Sequence, residues 1–410
     1  MTNWKEYKLS DLMQIKYGKD HKHLADGPYP LYGSGGIMRY VEKPLYNDAS
    51  ILIPRKGTLS NLFYLDKPFW SVDTMFYSII NKQLALPKYL YYTLKTFDLA
   101  SLNVGSAVPS LTTEVLNDVL VSVPDIDTQI AIAEILSSLD DKIELNNKIN
   151  QELENLAQTL FKHWFIDFEF PNENGEPYKS SGGEMVESEL GEIPKGWNVG
   201  TLNDLIDFSN GNAFKSNELL NENTGDCYHV FKMGHIKKGG GLNADGTKSY
   251  YEKSKAKKLH KYVLKVGDLL MCMTDMKGNV ALLGHTALMN ENDKYIVNQR
   301  VGLLRPNNDL GIDFPYLYIL TNSNDFIEDL RSRANSGVQV NLSTSEIKSS
   351  KVLLPPKFIN VEFDNCVKAF FENIFNNTKG NTELSLLRDT LLPKLISGEL
   401  EVAEVMPEKV

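Results

Sequence analysis

The chain has 410 residues, 42% of them hydrophobic and 23% charged, with a formal net charge of −10 and only three cysteines, far apart and without a CxxC pair. The length admits two to three domains with ordinary cores, and the cysteine usage argues against a disulfide-stapled scaffold. No run approaches the roughly 18 apolar residues of a membrane span, and no apolar N-terminal leader stands out, so a reducing, cytoplasmic setting is expected.

The charge is unevenly spread. Residues 1–125 carry about +1, 126–195 about −10, 196–356 about +2 and the remainder about −3. Acidity is concentrated in one segment, which leaves two near-neutral blocks with basic patches that could meet phosphates.

Residues 1–125 read as the first block, mixed but mostly β. Apolar, β-branched runs around Ile51 and Phe76 alternate with turn clusters such as Gly33-Ser34-Gly35-Gly36. Residues 87–97 predict a helix with proline at its first position. A loop, a short helix and a closing strand follow, before 126–170.

That next segment is a long helix by periodicity. Leu136, Leu139, Ile143, Asn146, Asn150, Leu153, Ala157, Leu160 and Trp164 recur at steps of three and four, the seam of a helix packed on a partner helix. Residues 171–195, rich in Gly, Pro, Ser and Glu, predict a linker. A second block spans 196–356, and 357–410 carries a second long helical pattern with a tail.

The blocks repeat. Trp4 and Leu9-Ser10-Asp11-Leu12 recur as Trp197 and Leu202-Asn203-Asp204-Leu205, and the loop 105–111 is echoed at 336–342. A shift of 231 residues places Ile143 on Ile374, Asn146 on Asn377, Asn150 on Asn381 and Leu153 on Leu384. Two helices with matched seam asparagines are expected to pair with each other, because a buried amide penalises any slip of register. The expected fold is therefore mixed α/β (α+β): two β-rich blocks in tandem pseudo-repeat, separated by two long helices that pair with each other.

No catalytic pattern survives inspection. The glycine-rich run 239–249 has one residue too many before Lys248 for a phosphate loop. His21 and His23 lack cysteine or carboxylate companions at metal-ligand spacing. Asp140 and Asp141 diverge by about 100° around a helix, wrong for paired acid–base work.

Binding is the better reading. Ten lysines against two acids lie between Lys232 and Lys265, interleaved with His235, Tyr250, Tyr251, His260 and Tyr262. That pattern suits phosphate contacts, although a solvated lysine face has the same composition. By residue type the candidate DNA contacts are Lys19, His21, Arg39, Arg55 and Lys56 in the first block. In the second they are Lys232, His235, Lys237, Lys238, Thr274, Lys277, Asn298, Gln299 and Arg300.

Several segments resemble one family, the DNA-specificity subunits of type I restriction–modification enzymes. LFKHWFIDFEFP at 160–171 is similar to the end of that family's central helix. SELGEIPKGW at 188–197 is similar to its entry into a second recognition domain, and LLPKLISGELEV at 391–402 to its C-terminal ending. YGSGGIMRYVEKP at 32–44 and GDLLMCMTDMKG at 267–278 resemble recurrent recognition-domain segments. The resemblance implies that each block is a target recognition domain reading one half of a split double-stranded DNA target, with the two helices forming an antiparallel coiled coil that spaces the recognition domains and docks two modification (methyltransferase) subunits. Restriction subunits complete that assembly. S-adenosylmethionine, ATP and Mg would belong to the partner subunits, and no cofactor or catalysis to this chain. The stretch before Trp4 is too short for any N-terminal conserved helix. A protein-binding scaffold and a specificity partner of a fused restriction–methylation enzyme are the competing expectations.

Overall fold

The computed structural model describes residues 4–104, 109–276, 280–336 and 339–405, without the side chains of residues 308 and 336. It divides into two compact units, Met1–Asn147 with Thr378–Val410, and Lys148–Asn377. The division cuts both long helices mid-length, so each unit owns a β-rich block and a portion of each helix.

In the first unit, Met13–Tyr17, Met75–Ile80, Ser50–Pro54 and Phe63–Leu65 form a four-stranded antiparallel sheet in that order. Gly36–Val41, Tyr29–Gly33 and Trp70–Ser71 form a second sheet, with the last pair parallel. Lys5–Lys8 and Leu120–Val123 close the block as an antiparallel pair. The helix Pro87–Lys95 begins on its proline, as the sequence predicts, and buries Tyr89, Leu90 and Tyr92.

The second unit rebuilds this plan. Ile206–Asn210, Val301–Pro306, Leu269–Cys272 and Thr286–Leu288 make the four-stranded sheet. Cys227–Phe231 lies between Tyr250–Glu252 and a parallel Tyr295–Val297. Asn198–Thr201 pairs with Lys351–Leu354 as the closing ladder, and Phe314–Asn322 stands where the first unit has Pro87–Lys95.

The long helices are Ile126–Phe161 and Lys357–Ser397. The second starts at Lys357, the head of the segment expected to be helical. Asn360 Nδ2 donates to the carbonyls of Leu310 and Pro355, at 2.9 and 3.2 Å, and fixes its first turn. Gln129 does the same for the first helix, donating to the carbonyls of Leu84 and Pro124 at 3.0 and 2.9 Å.

Every residue of the sequence-derived seam is buried or half-buried. In the first unit Asp140 accepts from Arg388 Nη1 at 2.6 Å, and Asn146 donates to Asn381 at 2.8 Å. In the second unit Asn377 donates to Asn150 at 2.9 Å, and the Phe161 and Phe363 rings lie 6.0 Å apart. Within each unit rising numbers on one helix meet falling numbers on the other, so the helices are antiparallel. Asp140 also accepts from the Tyr92 hydroxyl at 2.7 Å. Its role is to join helix to block.

The first long helix ends in a wider π-turn, Lys162–Ile166, which buries Trp164 and Phe165. Phe168 follows with φ of 60° and sets its ring edge-on to Trp197 at 5.5 Å. The expected linker is folded: Phe170 stacks on Tyr178 at 4.6 Å and on Trp197 at 5.3 Å, and Met185–Ser188 pairs with Gly191–Pro194. Its polar composition conceals these aromatic anchors, which tie the segment to the second unit's core.

Candidate nucleic-acid interface

Both units carry one backbone framework, bond for bond. In the first, the N–H of Gly18 donates to Met75 O at 2.9 Å, that of Lys19 to Ser71 O at 2.9 Å, that of Val72 to Tyr32 O at 3.0 Å and that of Met75 to Val72 O at 3.0 Å. In the second, Gly211 donates to Val301 O at 3.2 Å, Asn212 to Val297 O at 2.9 Å, Asn298 to Phe231 O at 3.0 Å and Val301 to Asn298 O at 3.0 Å. The next strand repeats as well. Arg55 N–H donates to Thr74 O and Leu111 N–H to Arg55 O; Met273 N–H donates to Arg300 O and Leu342 N–H to Met273 O.

Each framework is locked by a glycine that nothing else can replace. A β-carbon at Gly18 would sit 2.0 Å from the Val72 carbonyl oxygen, and one at Gly211 2.2 Å from that of Asn298. Close passage of two backbones demands a residue without a side chain. The turns 72–75 and 298–301 are thereby held at the ends of the four-stranded sheets, with Asp73, Gln299 and Arg300 exposed and Thr74 half-buried.

Around the first framework stand Lys19, Arg55 and Lys56. Lys19 and Lys56 are exposed, while the Arg55 guanidinium lies over the Tyr17 ring at 5.2 Å and donates to Asp73 O at 3.3 Å. Arg39 is elsewhere engaged. Its Nη1 donates to Asp26 at 2.9 Å, and its Nη2 to the carbonyls of His21 and Leu24 at 2.8 and 3.0 Å. It clamps the 21–26 loop, and His21 supplies a carbonyl to that clamp while its Nδ1 is buried without a hydrogen-bond partner. Arg39 therefore serves as a loop clamp rather than a free contact, its guanidinium engaged by three protein acceptors, and half-buried His21 lends that clamp a backbone carbonyl.

Around the second framework stand Asn298, Gln299 and Arg300. Asn298 is turned inward, its Oδ1 accepting from the Arg300 N–H at 3.3 Å. Gln299 and Arg300 are exposed. Thr274 is buried, at 9% exposure, in the pairing of Thr274–Met276 with Gln339–Asn341. Lys277 lies outside the described residues.

The lysine-rich segment begins at Lys232, next to Phe231, whose carbonyl accepts from the Asn298 N–H. His235 is fully buried; desolvation and the neighbouring His229, whose Nε2 lies 3.1 Å from its own, push its pKa down to about 4. It is corrected from a DNA contact to a neutral packing residue, held between Lys232 and His229 and against Gly246. Lys232 is half-buried beside it. Lys237 and Lys238 flank three consecutive positive-φ glycines, Gly239, Gly240 and Gly241. Lys237 acts on Glu154 of the first long helix, whose carboxyl is raised by burial, an effect the lysine's charge tempers. Lys248, in the glycine-rich run, is exposed on a loop, with no strand-to-helix passage around it.

Residue type alone missed Asp73, Thr74 and Asn212, which the framework holds beside the candidates. The signal was present: Tyr17-Gly18-Lys19 and Asn210-Gly211-Asn212 follow equivalent strands in the repeat. Among the described residues no helix is long and apolar enough to cross a membrane.

The family described as "Type I restriction modification DNA specificity domain" matches residues 1–155 and 194–385. The chain is 28% identical to the type I restriction enzyme MjaIX specificity subunit of Methanocaldococcus jannaschii, covering 98% of this chain and 90% of that protein. It is 26% identical to the HindI specificity subunit of Haemophilus influenzae, covering 98% of this chain and all of that protein. In fold it is similar to the crystal structure of a type I restriction–modification S subunit from M. genitalium, with a TM-score of 0.57, 18% identity and 96% of each chain covered. With the family matched across both repeated blocks, this chain belongs to the type I restriction–modification DNA specificity family, as a specificity subunit with two tandem recognition domains.

Proposed function

We propose that the chain reads a split, asymmetric double-stranded DNA target, one half-site per unit, on behalf of partner subunits that do the chemistry. One observation carries this reading: the same hydrogen-bonded framework is built twice, yet it presents Lys19, Asp73 and Thr74 in one unit and Asn212, Gln299 and Arg300 in the other. Identical frames with different donors and acceptors suit two different base sequences.

Two modification subunits would dock on the helical portions and methylate adenine with S-adenosylmethionine, and restriction subunits would add ATP- and Mg-dependent cleavage. On this reading the chain is a non-catalytic, cytoplasmic subunit. The long helices would gauge the gap in the target. At about 1.5 Å per residue, the 36 residues of Ile126–Phe161 reach about 54 Å, longer than the roughly 34–36 Å of one DNA turn.

The test is duplex binding by the chain with its modification subunit over a salt series. Affinity for target DNA that falls steeply with added salt is expected. Salt-insensitive or absent DNA binding would instead favour a protein-binding adaptor, and co-purification with a single fused restriction–methylation enzyme would change the partner assignment but not the DNA reading.

A further inference from the structure

We propose that the turn residues Gln299 and Arg300 read bases for the second unit, and that Asp73 of the equivalent turn, with Lys19 beside the framework, does so for the first. This rests on the chain being a DNA-specificity subunit and names the part of each unit that specifies sequence.

Three observations converge on these residues. The glycine crossings at Gly18 and Gly211 leave no room for a β-carbon, so each turn is fixed relative to its sheet. A reader must be held firmly for hydrogen bonds to discriminate between bases, and a turn anchored by four repeated backbone bonds meets that need. Second, Lys19, Asp73, Gln299 and Arg300 are exposed, and among the described residues their side-chain polar atoms have no hydrogen-bond or ion-pair partner. Their neighbours Asn298 and Arg55 are instead spent on the frame, on the Arg300 N–H and the Asp73 carbonyl. Third, the side chains differ between units where the backbone does not.

The chemistry of each side chain sets an expectation. The Arg300 fork matches the O6 and N7 acceptors of guanine, and the Gln299 amide matches N6 and N7 of adenine. In the first unit Lys19 suits guanine, and the Asp73 carboxylate accepts from the N4 amine of cytosine. The two half-sites should therefore respond to different variants.

The experiment assembles the chain with its modification subunit and S-adenosylmethionine. Methylation rates are measured on duplexes in which each target base pair is changed in turn. Arg300→Ala and Gln299→Ala should lower discrimination roughly ten- to hundredfold at one base pair of one half-site, leaving the other half-site unchanged. Lys19→Ala and Asp73→Ala should do so in the opposite half-site, and Arg300→Gln should alter which base is preferred. Thermal melting superimposable on the wild type shows that these exposed positions do not act through folding. Discrimination kept within twofold at every base pair, or a uniform loss on all sequences, would overturn the assignment of the turns while leaving the specificity function standing. A wild-type complex with no sequence preference at all would overturn that function itself.

Discussion

Asn146 donates from Nδ2 to Oδ1 of Asn381 at 2.8 Å, and Asn381 donates in turn to Asn147 at 2.9 Å. Asn146 is only 3% exposed, and its own Oδ1 is buried without a partner. The pair thus costs stability while penalising any other register. Replacing both residues together, Asn146→Leu with Asn381→Leu, should raise stability by about 1 kcal/mol or more and loosen helix register. Urea melts measure the first effect, and cysteine cross-linking across the seam the second. A melt that falls, with a single cross-linking register retained, would contradict this.

Gly18→Ala and Gly211→Ala should each disrupt one framework and spare the other, because the added methyl meets a backbone carbonyl at 2.0 or 2.2 Å. Overpacking of this kind costs about 1–3 kcal/mol. Amide exchange should rise at 72–75 in the first variant and at 298–301 in the second, with DNA affinity reduced in both. Exchange that rises in both turns of either variant would show that the frameworks are not independent.

Asp364 gives a pH dependence. Burial pushes its carboxyl up to about 7; the Asp313 N–H bonded to its Oδ2 at 2.8 Å opposes that rise, and the nearby Asp313 charge adds to it. An acid whose pKa is higher folded than unfolded penalises the native state as pH rises from about 4 through about 7, each pH step of one across that window costing about 1.4 kcal/mol. Asp364→Asn keeps an oxygen for the Asp313 N–H and removes the charge. It should melt above the wild type at pH 8 and converge with it near pH 4. Equal melting at pH 8 would place the group in a wetter setting than the structure does.

The helices and the repeat were legible in the sequence because their signals are periodic. Seam residues such as Leu136, Asn146 and Trp164 announce a face by spacing alone, and Trp197 echoes Trp4 in front of the same leucine pair. Site residues carry no such period. His235 and Lys237 share composition with the exposed lysines, and only tertiary packing reveals that His235 is sealed against His229 and that Lys237 acts on Glu154. Arg39 likewise reads as a base contact by type and proves to be a clamp on three acceptors. The 171–195 segment misled in the other direction, its sparse aromatics Phe170 and Tyr178 being enough to fold a polar stretch.

Helix length is open to a direct test. One heptad inserted into the first long helix between Ile143 and Leu153, with a matching heptad between Ile374 and Leu384, keeps the seam in phase at seven residues. The gap between half-sites in the methylated target should lengthen while both half-sites stay the same. An unchanged gap would show that the helices do not gauge the target.

The most direct measurement is sequencing of methylated adenines in the genome of cells carrying this chain and its modification subunit. Two different half-sites separated by a fixed run of unspecified bases are expected, since the two frameworks present different side chains. A palindromic motif, or methylation with no shared motif, would contradict the reading of one half-site by each unit.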